Sequence, residues 1–243
     1  MNRYFIKLAY NGLAFHGWQI QDNAHSVQAE ITDKLKLLLK TDLHIVGCGR
    51  TDTGVHASEF FAHFDIESEI KNFKDLRYKL NNFLSDNIVV YDIYQVEDDF
   101  HSRFSASKRT YKYYVSNKKN PFKNHLSYYF QHDLDVKEMN KACLYLFEYK
   151  DFTSFSKLHT QTATNDCKIE SAEWTEEDGM LVFTISADRF LRNMVRAIVG
   201  TLVEIGRGKL KAEDIKTIIE LKDRSKAGYS VPAQGLFLHR VEY

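Results

Sequence analysis

Apolar and polar positions recur along this chain at two spacings, and the spacings mark its elements. Residues 3–10, Arg-Tyr-Phe-Ile-Lys-Leu-Ala-Tyr, read as an opening strand. Ser26 is a good N-cap, and Val27, Ile31, Leu35 and Leu38 then fall on one face, which predicts a helix to about residue 40. Residues 43–46 and 59–66 read as strands. Phe73, Leu76, Leu80, Phe83 and Leu84 mark the inner face of a second helix, and residues 88–96 another strand. Strand, helix, strand, strand, helix, strand is the order of a split βαβ unit with an antiparallel sheet.

The second half is a further strand-and-helix layer without sequence repetition. Residues 108–114 suit a strand, in which Arg109, Tyr111 and Tyr113 point one way and Lys108, Lys112 and Tyr114 the other. A helix over 135–149 turns Val136, Met139, Cys143, Leu146 and Phe147 inward. Residues 169–174 and 180–188 form a strand pair joined through the acidic turn Glu176-Glu177-Asp178-Gly179. Leu191, Met194, Val195, Ile198, Val199 and Leu202 form the buried stripe of a helix over 189–205. A short helix over 214–221 and a last strand after Pro232 complete the chain. The expectation is an α/β protein of the α+β kind, in two subdomains, 1–105 and 106–243.

Composition narrows the class. The 243 residues, 44% hydrophobic, can bury one large core or two modest ones, and 2 prolines with 11 glycines argue against long linkers. No apolar run reaches the roughly 20 residues of a membrane span. Residues 1–5 enter a strand pattern at once, leaving no room for a signal peptide. Cys48, Cys143 and Cys167 offer neither a disulfide framework nor a metal pair, so a reduced, cytoplasmic protein is expected. The formal net charge is zero, yet residues 100–125 hold seven Lys or Arg and no acid, and residues 189–211 hold six against one Glu. A positive face is compatible with that total, and so is a solvated mixed surface.

Chemistry concentrates in Gly49-Arg50-Thr51-Asp52-Thr53-Gly54-Val55-His56-Ala57. Two glycines frame a tight loop in which Arg50, Thr51 and Thr53 supply a cation and hydrogen-bond donors suited to an ionised Asp52. An ordinary turn whose Asp caps its own backbone is the alternative. The aromatic stretch Asn11-Gly12-Leu13-Ala14-Phe15-His16-Gly17-Trp18-Gln19 is a second loop, open to a role as a plug of the core edge. Interleaved cations and aromatics from Phe100 to Tyr114 suit phosphate contacts beside base stacking, or a basic edge strand guarded against aggregation. Arg189, Arg192 and Arg196, at i, i+3 and i+7, would share a helix face and oppose the macrodipole there, as at an anion site or a solvated basic face. His56 and His63 lack a second ligand pair, so packing rather than metal binding is expected of them.

The nonapeptide resembles the catalytic loop of the tRNA pseudouridine synthase A (TruA) family. So do four further blocks in order, over nearly the whole chain. Residues 10–19 are similar to Tyr-Asp-Gly…Phe-x-Gly-Trp-Gln, with Asn11 where Asp is usual. Residues 101–113 match His-x-Arg-Phe-x-Ala-x-x-Arg-x-Tyr-x-Tyr; Phe190 to Arg196 match Phe-x-x-x-Met-Val-Arg; and residues 232–238 match the closing pattern. Asp151-Phe152-Thr153-Ser154-Phe155 is also similar to the family's, whereas residues 157–167 resemble it only loosely.

The resemblance implies two RNP/ferredoxin-like subdomains whose mostly antiparallel sheets meet at a central active-site cleft. It implies isomerisation of uridine to pseudouridine in the tRNA anticodon stem-loop, at positions 38 to 40, by a homodimer without cofactor or metal. It makes Asp52 the catalytic carboxylate and Tyr111 the residue stacked on uracil. Arg50, Arg103, Arg109 and Arg196 become substrate contacts, with Arg196 also pairing with Asp52. Two rivals make different demands. A glycosidase canonically needs two flanking carboxylates, and Glu59 stands well along the next strand. A non-catalytic RNA-binding module leaves Asp52 without a purpose.

Overall fold

A computed structural model describes residues 1–157 and 164–243, so six residues of the loosely similar stretch 157–167 lie outside the described residues. The described residues form nine strands and five α-helices. They divide into two units, residues 1–107 with 237–243, and residues 108–236. Pairing within each unit is antiparallel apart from the short ladders at His56–Ala57 and Val115–Ser116, making the protein α+β.

In the first unit, β1 (Asn2–Tyr10) lies between β3 (His56–Ile66) and β4 (Ile88–Val96), antiparallel to both. A central strand covered on both faces loses its alternation, and Tyr4, Phe5 and Ile6 are all fully buried. Tyr4 meets Phe73 of α2 (Phe73–Phe83) on one face. Phe5 meets Phe61, Tyr94, Phe100 and Tyr243 on the other. The short β2 (Val46–Gly47) pairs with β3, giving the order β4-β1-β3-β2 of the split βαβ unit. β9 (Leu236–Glu242) also joins β3, parallel, through His56 with Phe237 and Ala57 with Leu238. The Ser26 hydroxyl accepts the Ala29 N–H at the start of α1 (Val27–Leu39), which buries Val27, Ile31 and Leu35. Leu76 and Leu80 of α2 are buried, but Phe83, expected inward, is exposed at the last residue of its helix.

In the second unit the order is β7 (Ile169–Glu177), β8 (Met180–Ala187), β5 (Lys108–Ser116) and β6 (Tyr128–Tyr129). α3 (Val136–Tyr145) packs on β7 and on α4 (Met194–Gly206). Past Tyr145 the chain tightens into a 3₁₀ turn, which shifts the side-chain period. Leu146 stays buried, while Phe147, expected inward, is exposed. α5 (Asp214–Glu220) follows as expected.

α4 corrects the expected helix over 189–205. Asn193 has φ +67, in the left-handed region that Asn tolerates better than most residues, and helical angles begin only at Met194. Arg189 and Arg192 therefore precede the helix, and no three-arginine face exists; Arg196 alone lies in its first turn. The apolar stripe holds, and α4 is buried almost all round. None of the described helices is long and apolar enough to cross a membrane.

Candidate active site and its supports

The loop carrying Asp52 leaves β2 and enters β3. Thr51 is buried, Asp52 half-buried, and Arg50 and Thr53 exposed. The Val55 N–H donates to the Asp52 carbonyl at 3.1 Å, closing a turn with Gly54 at φ +79. Beneath it, the Tyr10 hydroxyl and Thr51 Oγ1 share a buried hydrogen bond of 2.9 Å, and the Trp18 N–H donates to the Thr51 carbonyl.

The aromatic loop of residues 11–19 proves to be the brace of this turn. A Cβ at Gly12 would lie 1.9 Å from the Val55 carbonyl oxygen, and one at Gly17, where φ is +86, 2.4 Å from that of Thr51. Neither position admits a side chain, because backbone lies directly on backbone. The Gly12 N–H donates to His56 Nδ1 at 3.2 Å, and the His56 ring stacks on Phe237 at 4.4 Å. Trp18 stacks on Phe60 at 4.1 Å. Asp52 thus rides on a loop held from strand, loop and ring contacts together. The other carboxylate nearby in sequence, Glu59, is engaged by Lys7 Nζ at 2.7 Å and the Val241 N–H at 3.0 Å.

Arg50 extends from the same loop, and among the described residues its side chain makes no ion pair. Arg103 belongs to the same unit, in a turn at residues 101–105, with its guanidinium 5.5 Å from the Phe104 ring centre. His63 Nδ1 accepts the Ser102 N–H and meets the Ser102 hydroxyl at 2.8 Å. Burial, helped by Arg3 and His101, pushes the His63 ring down to about 4, so it is a neutral acceptor. Both His56 and His63 are packed and hydrogen-bonded as expected. Among the described residues, no group of three His, Cys, Asp or Glu could hold a metal ion.

Arg109, Tyr111 and Arg196 belong to the second unit. Arg109 donates to the Asp188 carbonyl at 2.8 Å. Tyr111, half-buried, meets Phe190 edge-on at 5.1 Å. Two places further, Tyr113 is fully buried and donates to the Pro232 carbonyl; burial pushes its hydroxyl well above the usual phenol range. Arg196 Nε donates to the Val231 carbonyl at 2.7 Å, and Arg189 reaches Thr164. The opposite face of β5 is less cationic than its sequence suggests. Lys112 grips both carboxylate oxygens of Glu177 at 2.9 and 3.0 Å, and Lys108 lies 3.9 Å from Glu170. Thr51, expected as a hydrogen-bond donor in the loop, bonds Tyr10, a support the sequence does not reveal because a hydrogen bond across 41 residues has no periodic signature.

An α+β protein with one braced acid on a Gly-framed loop and an aromatic-cation strand has the parts of a pseudouridine synthase. A family profile described as tRNA pseudouridine synthase matches residues 142–243. Proteins named tRNA pseudouridine synthase A are similar over the whole chain. Those of Parabacteroides distasonis and Bacteroides fragilis are 55% and 54% identical, with 96% and 97% of their own lengths covered. That of Thermoanaerobacter pseudethanolicus is 39% identical, with 100% covered. The chain belongs to the tRNA pseudouridine synthase A family, whose members are isomerases.

Proposed function

We propose that this protein converts uridine to pseudouridine in the tRNA anticodon stem-loop, at positions 38 to 40, with Asp52 as the catalytic carboxylate. The observation that carries the reading is the braced loop, whose sole acid stands half-buried on a backbone packed directly against residues 12 and 17. In the reaction the C–N glycosidic bond breaks, the uracil turns, and a C–C bond forms at the same sugar carbon, with no net oxidation and no group lost. The carboxylate either attacks the anomeric carbon or takes a proton from the neighbouring one, and both routes need it ionised. The target base must leave its stack first, at a cost of a few kcal/mol. Arg50, exposed on the same loop, holds the displaced nucleotide; Tyr111 stacks on the uracil; Arg103, Arg109 and Arg196 contact the RNA. The family's homodimer, acting in the cytoplasm, is part of the same proposal. A glycosidase is disfavoured because Glu59 is already engaged by Lys7 and Val241.

The test is Asp52→Asn. The amide keeps the shape and loses the charge, so pseudouridine formation should fall by several orders of magnitude. tRNA affinity, resting on Lys and Arg contacts, should change little. Product formed by the variant at near wild-type rate refutes the assignment.

A further inference from the structure

Single exposed apolar side chains are ordinary on a protein surface. Phe104, 75% exposed, differs in what holds it. Its turn is fixed from below by buried groups. The Ser102 N–H donates to His63 Nδ1, the Ser102 hydroxyl to the Val46 carbonyl, and the Tyr243 hydroxyl to the Ser102 carbonyl. Within the turn, His101 Nδ1 accepts the N–H groups of both Arg103 and Phe104, and the Ser105 N–H donates to the His101 carbonyl. The His101 ring lies 4.4 Å from that of Phe104, and the Arg103 guanidinium 5.5 Å from it. Val46, which the turn grips, opens the strand leading into the Asp52 loop. By contrast Phe122, at 89% exposure, sits in a loop whose bonds are local ones to Asn120, Ser116 and Lys123.

An aromatic ring beside a guanidinium, on a turn held from below, suits a nucleobase better than a protein surface. We infer that Phe104, backed by His101 and flanked by Arg103, is a stacking surface for an unpaired base of the substrate RNA. The inference rests on the tRNA reading and adds a contact to it. Pre-organisation is the physical point: the turn is built before RNA arrives, so little order remains to be imposed on binding.

The experiment compares wild type, Phe104→Ala and Phe104→Trp on one unmodified tRNA, measuring affinity across a salt series and product formation in parallel. Phe104→Ala should weaken binding about 5- to 150-fold without changing the slope of log affinity against log salt, since stacking releases no counterions. Phe104→Trp should keep affinity within a few-fold of wild type, and its indole should be quenched by the RNA. The native Trp18 and Trp174, 1% and 2% exposed, form a quiet background. Unchanged affinity in Phe104→Ala, or an indole that does not respond, overturns the inference. So does a loss of affinity that tracks dissociation of an oligomer in sedimentation, which would assign the ring to a second copy of the chain. If the Ala variant fails to fold, the Trp variant's quenching decides. Failure of the wild type to form pseudouridine would sink the tRNA reading itself; wild-type product with unchanged variant affinity sinks only this inference.

Discussion

If Asp52 is the catalytic carboxylate, its aim at the sugar depends on its neighbours as well as on its own chemistry. Asp52 has them in Tyr10, Gly12, Gly17 and Trp18, which hold the backbone around it by bonds and by the absence of space. Tyr111 is half-buried and edge-on to Phe190. If it stacks on the uracil, Tyr111→Phe should keep the reaction within a few-fold, whereas Tyr111→Ala should lose about 5- to 150-fold, because only Ala removes the aromatic face. If the hydroxyl instead moves a proton, both variants should fall together by about a hundredfold or more. Single-turnover rates at saturating enzyme separate the two, since binding then drops out.

At the scale of elements, β3 does most to place the site. It starts with His56 against Gly12 and Phe237, and continues to His63 against the turn at Ser102. His63 also makes that element sensitive to pH. In the unfolded chain the ring protonates near pH 6.5, and in the folded protein only near about 4. Between those values the unfolded state binds the extra proton, so acid draws the protein toward unfolding. His63 contributes stability that is whole above pH 6.5 and lost as pH falls to about 4, up to about 3 kcal/mol. Urea unfolding at about pH 7 and pH 5 should show wild type losing about 2 kcal/mol more than His63→Gln. His101, whose pKa is also lowered by burial, packs on the His63 ring at 4.6 Å, so the comparison is repeated in a His101→Gln background. Equal losses would mean that the ring is solvated in the folded state.

For the whole molecule, zero net charge does not predict indifference to a polyanion, because paired and unpaired cations count differently. Lys112 is neutralised by Glu177, whereas Arg50 projects from its loop without an ion pair among the described residues. Affinity for tRNA should therefore fall with salt despite the zero total. Arg50→Ala should reduce the slope of log affinity against log salt by about one, and Lys112→Ala should leave it unchanged. Equal reductions in both would show that RNA displaces Glu177 from Lys112.

Periodicity alone determined the order of elements in the first unit and the inner faces of α1 and α4, because burial of one face repeats with the backbone's own turn. The same reasoning placed Asp52 between two strands, since glycines punctuate a loop wherever it lies. It failed at the ends of elements. Asn193 in a left-handed conformation delayed α4 to Met194 and dissolved the arginine face, while a 3₁₀ turn carried Phe147 outward. Those outcomes depend on single dihedral angles, to which hydrophobic spacing is blind. Tertiary structure decided what holds the loop. Tyr10 reaches Thr51, Gly17 lies under its carbonyl, and Phe237 returns to His56 from 181 residues away. Such contacts form only after distant segments pack, and a one-dimensional pattern carries no term for the space left between them.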